Sequence, residues 1–299
     1  MKTKLNVLDI NNQQEMILKE RKANNAWNKL KRNKTALAGL IIVVIMTLLA
    51  ILAPILTIKD PNIMDLANAY LKPGSPGHIL GTDEFGRDLF TRIIYGARVS
   101  IIVALGGMAV GGSIGILLGL ISGFKGGIID TIIMRFMDGM FAFPFILLAL
   151  VLMTVLGDGM HNVIIAIGIA SVPGFARVAR GQVLIVKSEE YTQAIRALGA
   201  SDNRLLFNHI LPNSISPIIV YGTLNVAGAI ISEAALSFLG LGIQPPTASW
   251  GNILRAGKDT LVTAPHIATF SGIAIIITVL GFNLLGDGIR DVLDPKMKI

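Results

Sequence analysis

Six long apolar segments constrain the fold of this chain more than any other feature. Each is close to the roughly 20 residues that an α-helix needs to cross a lipid bilayer. Because backbone polar groups inside a bilayer must pair with one another, such segments form helices. Only 15% of the residues are charged, whereas soluble domains carry about 25%. We therefore predict an all-α, polytopic membrane protein with six transmembrane helices, at 36–58, 99–121, 136–156, 162–178, 216–242 and 266–286.

Basic residues are distributed unequally between the two sides of this predicted bundle. Nineteen of the 26 Lys and Arg residues lie on the side that contains residues 1–35. Cytoplasmic segments carry an excess of Lys and Arg, so we expect both termini in the cytoplasm. The predicted parts are a cytoplasmic tail at 1–35, a peripheral first helix at 36–58, an extracytoplasmic loop with an interfacial helix at 59–97, a core of five transmembrane helices at 98–289 with a cytoplasmic loop at 179–215, and a cytoplasmic tail at 290–299.

A polar stretch, QAIRALGASDNRLLFNHILPN at 193–213, interrupts the apolar sequence in this cytoplasmic loop. Ser188 is a candidate helix N-cap, and Gly199 can end a helix because glycine accepts left-handed geometry. Ser201 is placed to start a second short helix that ends before Pro212. Such a helical pair indicates either a docking surface for a partner or an amphipathic loop lying on lipid headgroups.

The same stretch resembles the cytoplasmic signature of binding-protein-dependent ABC importer permeases, which has the pattern Glu-Ala-Ala, three residues, Gly, nine residues, Ile-x-Leu-Pro. The glycine of the pattern is Gly199, and the sequence departs from the pattern at Gln193, Ile195 and His209. Three further stretches are similar to the C-type permease subunits of oligopeptide, dipeptide and nickel systems. They are GTDEFGRDLFTRIIYGARVS (81–100), EAALSFLGLGIQPPTASWGNIL (233–254) and GDGIRDVLDPKMK (286–298).

The resemblance implies a type I ABC importer permease fold and a transport subunit rather than an enzyme. It implies no cofactor on this chain, because ATP and Mg would be bound by two cytoplasmic ATPase partners. The other implied partners are a second homologous permease subunit, an extracytoplasmic substrate-binding protein and the lipid bilayer of a bacterial cytoplasmic membrane. The residues expected to contact an ATPase are Gln193, Ala194, Arg196, Leu198, Gly199, Ala200, Arg204, Leu205, Leu206, Leu211 and Pro212.

Glycines recur every four residues in the second apolar segment and predict a smooth face for close helix packing, as either a static or a sliding seam. They are Gly107, Gly111, Gly115, Gly119 and Gly123. Glu233 lies inside the fifth segment, where an ionised group is costly. It is a candidate translocation-path residue, or else a structural group bonded to backbone or to an arginine.

Residues 83–97 are amphipathic, with Phe85, Leu89, Phe90, Ile93 and Ile94 on one face and Asp83, Arg87, Asp88 and Arg92 on the other. This pattern predicts a helix in the outer membrane interface. That helix, or the loop at 243–265, is a candidate contact for the binding protein. Trp250 in this loop is otherwise a membrane-interface anchor.

Other functions are less well supported by the residues. No metal-ligand pair such as H-E-x-x-H occurs, and GNILRAGKDT (251–260) lacks both the spacing and the Ser or Thr of a phosphate-binding loop. An ion-coupled secondary carrier would have paired broken helices, which are not evident. The basic N-terminal run adjoins a membrane span, so anionic lipid is a simpler partner for it than nucleic acid. The substrate stays open between di- or oligopeptides and nickel or a metal chelate.

Overall fold

The computed structural model describes residues 30–31 and 33–293, which are mainly helical and contain no β-sheet. Most of the predicted tails, 1–35 and 290–299, lie outside the described residues. The helices are α1 (Lys34–Ile51), α2 (Ala53–Leu56), α3 (Leu89–Lys125), α4 (Gly127–Phe141), α5 (Phe145–Leu156), α6 (Met160–Ser188), α7 (Glu190–Ala197), α8 (Asp202–Leu205), α9 (Leu211–Phe238), α10 (Trp250–Lys258) and α11 (Pro265–Leu293).

Five helical segments in the described part of the chain are long and apolar enough to cross a membrane. They are α1, α3, α6, the run Asp202–Phe238 that ends in α9, and α11. Helices α4 and α5 meet the same criterion only as a pair, which is bent by 91° where the two helices meet and gives a sixth span when it is counted as one. The predicted single helix at 136–156 is therefore wrong. Pro144 lies at the bend, since proline lacks a backbone N–H and disfavours helical geometry in the residue before it.

The predicted interfacial helix at 83–97 is also wrong. Helix α3 begins at Leu89 and continues unbroken into the membrane span, and Asp88 caps it by accepting a hydrogen bond from the backbone N–H of Thr91 at 2.9 Å. The polar face assigned to water is buried, because Asp83 pairs with Arg87 and Arg92 inside the protein. Leu89, Ile93 and Ile94 of the predicted apolar face are buried as well, so protein surrounds most of this segment.

The centre of the bundle is a long pairing of α3 with α6. Helix α9 packs against α3, α6 and α11. Helix α1 lies on α11, where Gly39 and Gly281 allow close approach, and most of its other surface is exposed.

The bundle has two ends, which we name from their connections. The loop end contains residues 57–88 and 239–264, and His266 Nε2 lies 3.2 Å from the carbonyl oxygen of Thr82 there. The hairpin end contains residues 189–210. Asn33 donates a hydrogen bond to Asp291 at 2.9 Å, so the first and last membrane helices share one end. Helix α1 runs once along the bundle between Asn33 and the loop end. The end that holds Asn33 and Asp291 is therefore opposite the loop end, and is the hairpin end.

Candidate coupling site

Residues 189–210 form a compact helical hairpin between α6 and α9. Its two short helices, α7 and α8, are separated by Gly199, which has φ of +87°. This left-handed conformation is the one predicted for that glycine, and it lets the Gly199 N–H bond to the carbonyl of Arg196 at 3.0 Å. Ser201 precedes α8 as predicted.

Two details of the hairpin differ from the sequence-based prediction. Ser188 does not cap α7, because its hydroxyl donates to the carbonyl of Ile185 at 2.8 Å and the N-cap position falls on Glu189. Pro212 does not follow the end of an isolated helix. A π-helical turn at Leu206–Ile210 joins α8 to α9, and Pro212 occupies the first turn of α9, where a missing N–H is tolerated.

A small apolar core fastens the hairpin to the membrane helices. Leu205 is 1% exposed, and it packs in one cluster with Phe124 of α3 and Val183 of α6. Leu205 was expected to contact an ATPase, and the structure corrects this prediction because the side chain is enclosed within its own chain. Ile210 is buried in the same cluster.

Polar contacts reinforce this attachment. Lys187 Nζ donates to the carbonyl of Phe124 at 2.6 Å, at the C-terminal end of α3, and lies 5.6 Å from the centre of the Phe124 ring. A cation at this position also complements the helix dipole. Thr192 Oγ1 donates to the carbonyl of Val186 at 2.8 Å, and Asn213 donates to the hydroxyl of Tyr191 at 3.1 Å. The hairpin is thus bonded to α3, α6 and α9.

The outward surface of the hairpin combines apolar and basic side chains. Leu198 is 87% exposed beside Gly199, and Phe207 is 54% exposed. Phe207 was not predicted as a contact from the sequence, although it directly follows the apolar pair Leu205 and Leu206. Of the predicted contacts, those exposed on the structure are Gln193, Ala194, Arg196, Leu198, Gly199, Arg204 and Pro212, and those partly exposed are Ala200, Leu206 and Leu211.

The five predicted glycines of α3 all face α6. A Cβ built on Gly107 would lie 2.9 Å from Ile167 Cγ2, and one built on Gly123 would lie 2.9 Å from Val183 Cβ. A Cβ on Gly115 would lie 2.6 Å from the carbonyl oxygen of Val172. We call this contact the glycine seam. It extends from the middle of the bundle to the base of the hairpin.

Glu233 is 0% exposed and lies between α9 and α3. Its carboxyl group accepts hydrogen bonds from Ser100 at 2.7 Å and Ser237 at 2.8 Å. These serines replace the backbone or arginine partners considered from the sequence. The structure thus places Glu233 in helix packing within the chain.

An ionic cluster occupies the loop end. The Asp83 carboxylate accepts from Arg87 Nε at 2.7 Å and lies 3.3 Å from Arg92 Nε. Arg92 also donates to the carbonyl of Pro61 at 2.9 Å. Trp250 is fully buried beside this cluster and donates to the carbonyl of Ile93 at 3.0 Å, so it is not a membrane-interface anchor.

Comparisons with known proteins agree with this architecture. Residues 115–299 match the family described as "Binding-protein-dependent transport system inner membrane component". Residues 23–73 match the "N-terminal TM domain of oligopeptide transport permease C". The crystal structure of an amino acid ABC transporter with histidines covers 66% of this chain and 92% of its own, with a TM-score of 0.53 and 14% identity, and it shares the fold.

Two curated relatives are similar over nearly the whole chain. The dipeptide transport system permease protein DppC of Alkalihalophilus pseudofirmus is 47% identical, covering 91% of this chain and 90% of the relative. The glutathione transport system permease protein GsiD of Pectobacterium atrosepticum is 44% identical with the same coverage. This chain therefore belongs to the family of binding-protein-dependent ABC importer permeases, as a multi-pass transport subunit rather than an enzyme.

Proposed function

We propose that this chain forms half of the membrane path of an ATP-driven importer for di- and oligopeptides. The curated relatives carry a dipeptide and glutathione in their names, and glutathione is itself a small peptide. A second homologous permease subunit supplies the other half of the path. Two cytoplasmic ATPases drive it, and an extracytoplasmic binding protein delivers the substrate.

The hairpin is the single observation that carries this proposal. It presents an exposed leucine and exposed arginines at one end of a membrane bundle, and its base is bonded into three membrane-spanning segments. A surface of this kind suits a soluble partner whose movement is delivered to the bundle. We assign the hairpin end to the cytoplasm because the excess of Lys and Arg lies on that side.

The chemistry of the surface indicates how an ATPase would be held. Leu198 is the candidate central anchor, since full burial of a leucine side chain contributes about 1.5–3 kcal/mol. Arg196 and Arg204 are exposed on the same hairpin, where they suit a polar rim that selects a partner with acidic residues. Gly199 adds no side chain beside the anchor, which allows close approach.

Reconstitution of the complete importer in proteoliposomes tests this assignment. Leu198→Glu places a charge at the centre of the contact, so we expect ATPase subunits to co-purify at least tenfold less and peptide uptake to fall in proportion. Leu261→Glu is the matched control, because Leu261 is also an exposed leucine but lies at the loop end. We expect it to retain ATPase binding.

Three outcomes would contradict the proposal. Uptake and ATPase binding that are unchanged in Leu198→Glu would remove the hairpin from the coupling mechanism. Uptake of nickel with no uptake of peptides by the wild-type complex would overturn the substrate assignment. Peptide uptake by this chain alone, driven by an ion gradient, would instead identify a secondary carrier.

A further inference from the structure

The loop end contains a cavity of about 320 Å³ between the segment at 83–92 and helix α10. This volume is at the lower end of the range of small-molecule sites, which is about 300–1,000 Å³. Its charged lining residues are three acids and three arginines: Asp83, Glu84, Asp259, Arg87, Arg92 and Arg255. Their formal charges cancel, so the cavity as a whole is neutral.

One carboxylate oxygen of this lining has no partner. Glu84 Oε1 accepts from Arg87 Nη2 at 3.3 Å, whereas Glu84 Oε2 is buried without a hydrogen bond. Arg87 also pairs with Asp83, and among the described residues Arg92 pairs with Asp83 alone, so neither guanidinium group bonds to Glu84 Oε2. Burial raises the pKa of the Glu84 carboxyl above its ordinary value. A buried carboxylate oxygen in this state is costly, and an incoming donor would offset the cost.

The cavity also contains a guanidinium group without an acidic partner. Arg255 of α10 lies against the backbone of Gly240, and no carboxylate of the described residues is within ion-pair distance of it. Glu84 and Arg255 belong to different elements and line one cavity. The site thus offers one buried acceptor without a hydrogen bond, on Glu84, and one solvent-exposed guanidinium without an acidic partner, on Arg255.

We propose that this cavity binds the zwitterionic ends of a short peptide, with the α-ammonium group on Glu84 and the carboxylate on Arg255. A zwitterion satisfies both groups and adds no net charge, whereas a lone basic side chain or a metal ion would leave the cavity charged. The inference rests on the proposed function. It assigns to the permease its own receiving site, on the extracytoplasmic side, for peptide released by the binding protein.

Direct binding to the purified transporter complex in nanodiscs, without the binding protein, tests this site. Labelled Ala-Ala is titrated against the wild type, and we expect saturable binding. Glu84→Gln keeps the shape of the side chain and is expected to weaken Ala-Ala at least fivefold, while affinity for N-acetyl-Ala-Ala is already low and does not change. Arg255→Gln is expected to weaken the binding of Ala-Ala similarly. It is expected to have no further effect on the affinity for Ala-Ala amidated at its C-terminus.

One neighbouring position provides a matched control. Lys258→Gln removes an exposed cation from the same helix at a position that does not line the cavity, and it is expected to bind Ala-Ala as the wild type does. Asp259→Asn removes the exposed acid of the lining. A larger loss in Asp259→Asn than in Glu84→Gln would overturn the assignment of the ammonium site.

Two further results would overturn the inference. One is the absence of saturable Ala-Ala binding to a wild-type complex that still imports peptides with its binding protein, which leaves the proposed function intact. The other is a Glu84→Gln complex that loses affinity for the binding protein but not for Ala-Ala, which would make the cavity a protein-docking site. Failure of the complete wild-type system to import any peptide is distinct from both, because it overturns the proposed function itself.

Discussion

Replacement of Gly115 by alanine is a sharp test of the glycine seam. The added Cβ would lie 2.5 Å from Phe175 Cβ and 2.6 Å from the carbonyl oxygen of Val172, and the latter is backbone of the opposite helix. Both distances are far below ordinary van der Waals contact. Since a carbonyl in a helix cannot rotate away, α3 and α6 must separate locally.

The magnitude follows from a comparison with Gly112 on the same helix. A Cβ there would lie 3.5 Å from Phe175 Cε1, which is an ordinary contact. Both substitutions share the gain in helix propensity of about 1 kcal/mol, whereas only Gly115→Ala carries the overpacking cost of about 1–3 kcal/mol. We therefore expect Gly115→Ala to be less stable than Gly112→Ala by about 1–3 kcal/mol.

Thermal unfolding of the two variants, purified in the same detergent or nanodisc, measures this difference. In domains of 150–250 residues each kcal/mol corresponds to about 2–4 °C in Tm, so a separation of several degrees is expected. Equal Tm values, or a more stable Gly115→Ala protein, would show that the seam is not close-packed there and would refute the reasoning.

Three further predictions concern the charged groups. Asp83→Asn leaves buried Arg92 without its acid and leaves Arg87 with Glu84 as its acidic partner, so it should lower the free energy of unfolding by about 3–5 kcal/mol, measured by denaturation of the purified complex. Burial alone would raise the pKa of Asp88, but hydrogen bonds from Thr91 and His78 hold it below 3.8. The stability that Asp88 contributes is therefore present above about pH 4 and lost as pH falls through its folded pKa. Between about pH 3 and 6, the Tm of Asp88→Asn should vary less with pH than the Tm of the wild type, because the variant lacks this carboxylate. Lys187→Met removes the bond to the Phe124 carbonyl, and we expect ATP hydrolysis to continue while peptide uptake per ATP falls several-fold.

The sequence predicted the features that depend on local chemistry or on a simple period. Hydrophobic segments located the membrane-spanning helices, because their apolar length is set by bilayer thickness. The backbone at Gly199 followed from the steric freedom of glycine. The four-residue spacing of the glycines predicted one smooth face of α3, and the structure places α6 against that face.

Features that depend on tertiary contacts could not be predicted in this way. The periodicity of 83–97 gave a polar face but not its neighbours, which are protein groups that neutralise Asp83. Leu198 and Leu205 are equivalent in sequence terms, yet one is exposed and the other is enclosed by α3 and α6. Hydropathy averaged over 136–156 also concealed the break at Pro144, because the residues on both sides are mostly apolar.

The structure favours transmission of movement along α6 over sliding at the seam. The glycines of α3 meet the backbone of α6 at successive turns, and these contacts continue on both sides of Pro173, so relative sliding would drive helix backbone into helix backbone. The pair α4 and α5 is attached to α6 differently, by ion pairs such as Arg180 to Asp130 at 2.6 Å. The helix is interrupted between α4 and α5, and the two are bent by 91° there. Helix α6 spans roughly 43 Å at 1.5 Å per residue, enough to cross the bilayer. We infer that displacement of the hairpin moves α3 and α6 as one body, and that the break before α5 accommodates the change.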